Sequence, residues 1–486
     1  MMVVDIEPLP LERLASLLRP DRADRLLTTA EFARGLLRDR VVWNVNATAH
    51  GGGVAEMLQG LLAYGRGAGV DTRWLVLNGD PDFFAITKRL HNLLHGRAGD
   101  GGPVGPAERG HYERVLAANL RDMAPMVRAG DIVLLHDPQT AGLAQGLADL
   151  GAHVVWRCHI GSDTSSELTG RGWAFLRPYL EHCEAFVFSR QQFAPDFLEP
   201  TCVRVIAPSV DPFSAKNVDL TGDDVTAVLR RAGLVTPVEE HDIGHPVAPV
   251  PFVRRDGTTG HLRQHRHLYV DGDAPRETDR LVVQVSRWDH LKDMAGVLAA
   301  FADHLDRLPD DAHLVLAGPD VSGVSDDPEG AQVLAECTEA WRALPGDARA
   351  RVHLLCLPMD DTDENAIMVN ALQRHAAVVV QKSLAEGFGL TVTEAMWKAR
   401  PVVASAIGGI RDQIDDGTDG LLLEDPEDLA AFAELLSRVL GDDDLAARLG
   451  AAARERVLDA FLGDRHLTQY VELFDEVLLQ TERRRA

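Results

Sequence analysis

The chain has 486 residues, 45% hydrophobic and 25% charged, with a formal net charge of -25. One hydrophobic core rarely serves such a length, so two or more domains are expected, and the negative average field disfavours nucleic acid or an anionic membrane as partner. Five scattered cysteines without a CxxC pair (Cys158, Cys183, Cys202, Cys337, Cys356) fit a reducing compartment better than a disulfide scaffold.

At the N-terminus, Asp5, Glu7, Glu12 and Arg13 interrupt the apolar residues, which argues against a signal peptide. No apolar run reaches the roughly 20 residues that span a bilayer, so a cytoplasmic protein is expected. Val41 to Val45 reads as a buried strand, followed by Gly51-Gly52-Gly53. Val54, Met57, Leu58, Leu61 and Leu62 then recur at helical spacing, and Val70 to Leu77 supplies a second strand. A strand, a glycine loop, a helix and a strand form the unit from which parallel sheets are built. Further strand candidates are Ile132 to Leu135, Val154 to Trp156, Ala185 to Phe188 and Val203 to Ile206. Positions 1–215 therefore read as one doubly wound domain.

From about Thr236 to Asp279 the chain is rich in Pro, Gly, His and charge, and positions 216–279 read as a linker or insertion. Alternation resumes with Leu281 to Val285, His313 to Ala317, Val352 to Leu355, Ala377 to Val380, Pro401 to Ala404 and Gly420 to Leu423. Positions 280–462 read as a second α/β domain. In the final segment, 463–486, Leu467, Tyr470, Val471, Phe474, Val477 and Leu478 share one helical face, which suits packing back on the first domain. Two Rossmann-like domains facing a cleft are the expected architecture, with ligands at the C-terminal ends of the strands.

The richest stretch for chemistry is Ser383 to Glu394. Glu386 and Glu394 lie eight residues apart, with Gly387 and Gly389 between them and a helix expected from about Leu390. Free N–H groups at such a helix start suit a phosphate, and a carboxylate one turn into it can accept ribose hydroxyls. The same spacing also suits a solvated acidic helix start held by the helix dipole. Arg287 and Lys292 follow the first strand of the second domain, where fixed positive charge would stabilise a departing diphosphate; pairing with Asp289 and Asp293 is the plain alternative.

Gly51 to Gly53 is neither GxGxxG nor a Walker loop, yet Gly52 and Gly53 permit close backbone approach at a helix start. His136-Asp137 and His159 follow strands, as functional or structural groups alike do, and Asp211 suits a hinge cap as well as a ligand contact. Asp80-Pro81-Asp82 is a DxD triplet of a kind that arises by chance among 74 acidic residues. His241, His245, His261, His265 and His267 crowd the insertion, where His261 and His265 would share a face only if the segment were helical.

The Glu386 to Glu394 element, with Ser286-Arg287 and Lys292, resembles the E-x7-E element and donor-phosphate pair of retaining GT-B glycosyltransferases. Trp43 to Thr48, Gly51 to Met57, Asn78 to Phe84, Thr87 to Asn92, His136 to Gln139, Trp156 to Ile160, Pro208 to Asn217 and Gln381 to Ser383 are similar to the trehalose glycosyltransferring synthases within that family. The resemblance runs from about Val41 to Asp475. It implies Arg287 and Lys292 on the donor diphosphate, Glu394 on the ribose and Glu386 at the donor glucose. It implies backbone approach to the phosphates around Phe388, Gly389, Leu390, Gly52 and Gly53. It places His159 at the reaction centre and an acceptor glucose near Asp80, Lys88 and Asp137. The implied co-substrate is ADP-, UDP- or GDP-glucose, with no tightly bound cofactor and no metal held by protein ligands; Mg2+ would enter only with the diphosphate. A homodimer is usual in the group. The expected reaction joins the donor to glucose and forms trehalose, reversibly and with retention. A trehalose phosphorylase, a transferase with another acceptor, and a non-catalytic sugar-nucleotide binder stand as alternatives.

Overall fold

The computed structural model describes residues 1–49, 52–237, 249–321 and 328–485. Gly51, His241 and His245 lie outside them. The chain divides into two compact units. One comprises Met1–Asp211, Glu386–Phe388 and Phe461–Ala486; the other comprises Pro212–Ala385 and Gly389–Ala460.

The first unit is built on a seven-stranded sheet of β1 (Met2–Val4), β2 (Val42–Asn46), β3 (Thr72–Val76), β4 (Ile132–His136), β5 (His153–Cys158), β6 (Ala185–Phe188) and β7 (Val203–Val205). Its order is β1-β3-β2-β4-β5-β6-β7. Every pairing is parallel except that of β1 with β3. The β2, β4 and β5 strands are buried at every position, as a sheet covered on both faces requires. Alternation along the strands divides the core. Trp43, Val45, Val133 and Leu135 join one cluster with Phe83, Tyr112 and Phe175. Val42, Ile132 and Leu134 join another with Tyr470, Leu473, Phe474, Val477 and Leu478 from the Gly463–Arg485 helix. That helix is held at its start by the Arg22 guanidinium on Asp464, with bonds of 2.8 and 3.0 Å. Burying each large apolar side chain contributes about 1.5–3 kcal/mol, so the apolar stripe dominates the helix's attachment.

The second unit carries β10 (Arg280–Val285), β11 (Ala312–Pro319), β12 (Val352–Leu357), β13 (Val378–Gln381), β14 (Val402–Ser405) and β15 (Leu421–Leu423), following a hairpin of β8 (Pro251–Val253) and β9 (Thr259–His261). The sheet is wholly parallel in the order β12-β11-β10-β13-β14-β15. The segment read as a linker contains a regular helix, Gly222–Ala232. Thr221 caps it in a box with Asp224, and Gly233 ends it at φ 79°. His261 ends a strand of the hairpin, so it and His265 do not share a helical face; the helical premise for a metal pair fails there.

Strand order reverses between β2 and β4 in the first unit and between β10 and β13 in the second. In open α/β sheets, the loops after such strands form the ligand crevice.

Candidate functional site

In the second unit, β10 leads to Ser286 and Arg287, then to a short 3-10 turn at His290–Lys292. Arg287 Nη2 lies 2.9 Å from Asp289 Oδ2, yet its side chain is 44% exposed, enough to meet an anion. Asp289 is buried, and its other oxygen accepts from Leu291 N at 2.9 Å. Gln284 Nε2 donates to Lys292 O at 2.8 Å, fixing the backbone from which that lysine projects.

The adjacent strand β13 ends at Gln381. Its side-chain amide donates to Ser286 Oγ at 3.1 Å and to Ser383 Oγ at 2.8 Å, while its carbonyl oxygen accepts from Thr391 Oγ1 at 2.9 Å. Leu384 N donates to Leu291 O at 2.8 Å. These bonds bring the Arg287–Lys292 loop and the start of the Leu390–Trp397 helix together. Gly389 precedes that helix at φ 87°, a conformation that suits glycine. Glu394 lies one turn in and is itself only 3% exposed. Glu394 Oε1 is 3.1 Å from Lys216 Nζ. Lys382, wholly buried, pairs with Asp293, which also caps the Met294–Asp303 helix at φ 49°.

In the first unit, candidates follow four neighbouring strand ends. Gly52, at φ 83°, and Gly53 open the Gly53–Gly67 helix after β2. Asp80 caps the Pro81–Leu94 helix after β3, accepting from Phe83 N and facing His111 Nε2, both at 2.8 Å. Those two contacts hold its carboxyl below the usual range, the His111 bond first. Lys88 is half-buried two turns along the same helix. Among the described residues, no hydrogen bond joins Asp80 to Asp137 or His159.

Asp137 follows β4 at φ 65°, and its Oδ1 accepts from His159 N at 2.7 Å. Burial pushes the Asp137 carboxyl up to about 7, against the opposing pull of that N–H and of Arg157. His159 Nε2 lies 3.2 Å from His136 Nδ1, and the two rings stack 5.5 Å apart. His136 Nε2 is 3.0 Å from Asn44 Oδ1. An amide oxygen only accepts, so His136 donates through Nε2 and accepts through Nδ1. His159 then donates through Nε2 and keeps its Nδ1 lone pair. Burial, reinforced by the Arg157 charge, lowers His136 to about 3 and depresses His159 strongly, so both rings are neutral.

Arg157, the register partner of His136 on β5, is wholly buried. It donates to Ser189 Oγ at 3.1 Å, while its Nε and Nη1 make no hydrogen bond among the described residues. Glu386 to Phe388 belongs with this unit. A Cβ on Gly387 would stand 2.2 Å from the His159 carbonyl oxygen, so only glycine fits there. Phe388 packs on Phe461 at 5.8 Å, and Glu386 beside it is partly exposed. Asp211 accepts from Tyr64 Oη at 3.2 Å, a structural contact on the glycine-loop helix.

The structure thus gathers Asp137, His159 and the Glu386–Phe388 segment in one unit, and Arg287, Lys292, Gly389 and Leu390 in the other. Sequence reasoning gave no role to Lys216, Lys382, Gln381 or Arg157. Each stands in a stretch singled out for resemblance, but single side chains there carry no spacing signal. Among the described residues, no group of three metal-ligating side chains occurs, and no helix is long and apolar enough to cross a membrane.

Residues 44–195 match the family model described as "Trehalose synthase, N-terminal domain", and residues 270–456 match "Glycosyl transferases group 1". The chain is 34% identical over 447 residues to the trehalose synthase of Rubrobacter xylanophilus, covering 91% of this chain and 92% of that protein. It is 24% identical over 436 residues to the trehalose phosphorylase of Grifola frondosa, covering 85% of this chain but 54% of that protein. Among solved structures, the α,α-trehalose-phosphate synthase (UDP-forming) of Burkholderia vietnamiensis superposes with a TM-score of 0.62 at 16% identity, covering 90% of this chain and 99% of that one. At that identity the likeness is one of fold.

Proposed function

The chain belongs to the trehalose synthase family of GT-B glycosyltransferases, and from that premise we propose that it transfers glucose from a nucleoside diphosphate to free glucose, forming trehalose with retention. The observation that carries this reading is the Gln381 bridge. It sets a half-exposed arginine and a helix N-terminus side by side at the switch point of the second unit, where a diphosphate is best received.

Arg287 and Lys292 take the diphosphate, and the backbone of Phe388, Gly389 and Leu390, with Gly52 and Gly53, approaches its oxygens. Glu394 takes the ribose, with Lys216 setting the position of its carboxylate. Glu386 orients the donor glucose. His159 presents a neutral ring at the reacting pair, and Asp80, Lys88 and Asp137 serve the acceptor. The bond from the glucose C1 to the leaving phosphate oxygen breaks as the bond from C1 to the acceptor hydroxyl oxygen forms on the same face. The acceptor proton passes to that phosphate oxygen, so trehalose and the nucleoside diphosphate leave. Growing negative charge on the diphosphate is met by fixed cations and N–H groups, which is where transition-state stabilisation is largest.

Incubating the protein with glucose and each of ADP-, UDP- and GDP-glucose, with identification of the disaccharide, tests the proposal. Trehalose and free nucleoside diphosphate in equal amounts support it. Trehalose cleaved only when inorganic phosphate is present favours the phosphorylase reading instead, to which the fungal relative gives some weight. A phosphorylated disaccharide made from glucose 6-phosphate would identify a different acceptor.

A further inference from the structure

At the opposite end of the second unit's sheet, a cavity of about 430 Å³ is lined by Arg374, His375, Lys398 and Arg400, with Gly222 and Thr226 from the first turns of the Gly222–Ala232 helix. Its position is set by the fold. His375 ends the Thr362–His375 helix just before β13, and Arg400 stands just before β14, so both lie at the N-terminal ends of neighbouring strands, the first of which carries a donor loop at its C-terminal end.

Four basic side chains in one hollow are unusual in a chain of net charge -25. Arg374 donates to Asn370 Oδ1, Val218 O and Asp219 Oδ1 at 2.9, 3.0 and 2.9 Å, and Lys398 donates to Asn217 Oδ1 and Glu394 O at 3.0 and 3.1 Å. Arg400 reaches only two carbonyls, each at 3.4 Å, and no carboxylate pairs with it among the described residues. Burial and the neighbouring Arg374 charge push its pKa down. Of the nearby acids, Asp223 in the first turn of the helix is exposed to solvent, and the others are engaged elsewhere. Asp219 is shared with Arg454, Asp224 turns back on Thr221, and Glu277 is held by Arg230. Ala399 is at φ 55°, a left-handed conformation that costs a residue with a Cβ about 1 kcal/mol, and it turns the chain between Lys398 and Arg400.

We infer that this cavity is a second anion site, which takes a phosphate dianion, either free or carried on a hexose. A tetrahedral dianion would meet the Arg400 guanidinium with Arg374 and Lys398 beside it, the arrangement in which charge-assisted bonds are strongest.

The test titrates inorganic phosphate and, separately, glucose 1-phosphate and glucose 6-phosphate into the full chain by calorimetry. Wild type, Arg400→Gln and Thr226→Glu are compared, each saturated with nucleoside diphosphate to occupy the donor loops. Saturable binding of phosphate or a hexose phosphate, weakened roughly tenfold or more in Arg400→Gln and in Thr226→Glu, is expected. Phosphate binding alone assigns a free-ion site, and tighter hexose phosphate binding assigns a sugar-phosphate site. Thr226→Glu introduces a carboxylate on a helix surface, so it preserves the test should Arg400→Gln fold poorly. No saturable binding by wild type, or equal binding by wild type and a folded variant, overturns the assignment.

Discussion

The side-chain amide of Gln381 donates to Ser286 Oγ at 3.1 Å, across the boundary between β13 and β10. These residues are 95 positions apart in the chain, and the bond exists because the two strands are neighbours in the sheet. With Ser383 and Thr391 on the same amide, one buried side chain sets the geometry of two loops. Gln381→Leu keeps the volume but strands three hydroxyls. It should lower stability by about 2 kcal/mol in urea unfolding and weaken nucleoside diphosphate binding, read by calorimetry.

Arg287→Ala and Lys292→Ala should each reduce transfer by on the order of 10²-fold, since each removes fixed charge where the leaving group develops its own. Stability should change little for Arg287, whose side chain is 44% exposed. Initial rates of product formation are the measurement. Near-normal rates in both variants would remove the donor-site assignment.

Asp137 gives a pH signature. Its folded-state pKa, about 7, is raised above the ordinary carboxylate value by burial, so the fold favours its protonated form. Its contribution is therefore fully present at low pH and is lost as pH rises from about 4 through about 7. Asp137→Asn keeps an oxygen for the His159 N–H and removes the titration. Compared with wild type, the variant should gain stability progressively across that window. Urea midpoints measured side by side at several pH values report the difference; parallel curves would contradict it.

Gly387 and Gly170 separate two kinds of glycine. A Cβ on Gly387 would lie 2.2 Å from the His159 carbonyl oxygen, whereas one on Gly170 meets nothing within 4 Å. Gly387→Ala should displace the loop and cut turnover by roughly 10²-fold, the scale of a small misplacement at a reacting centre. Gly170→Ala, in the Glu167–Leu180 helix, should instead stabilise the protein by about 0.5–1 kcal/mol with unchanged turnover.

Much of this site could be read from the chain because it sits where local patterns change. Val41 to Val45 and the helical stripe beyond describe one strand and one helix without any distant information, and the structure has a strand at Val42–Asn46 and a helix at Gly53–Gly67. The start of the Leu390–Trp397 helix and the Arg287 strand exit were legible in the same way. The Gly222–Ala232 helix was not, since positions 216–279 read as a linker or insertion on the composition of Thr236 to Asp279, and the helix precedes that stretch.

Local periodicity, caps and glycines determined the alternating strands and helices, the position of the loops, and the chemical types available in each. The partnerships were decided in three dimensions: Gln381 with Ser286, Glu394 with Lys216, Lys382 with Asp293, and Arg157 beside His136 in the sheet. Strand order and register choose which distant side chains meet. That choice is made by burial summed over the whole sheet, and no single stretch of sequence contains it.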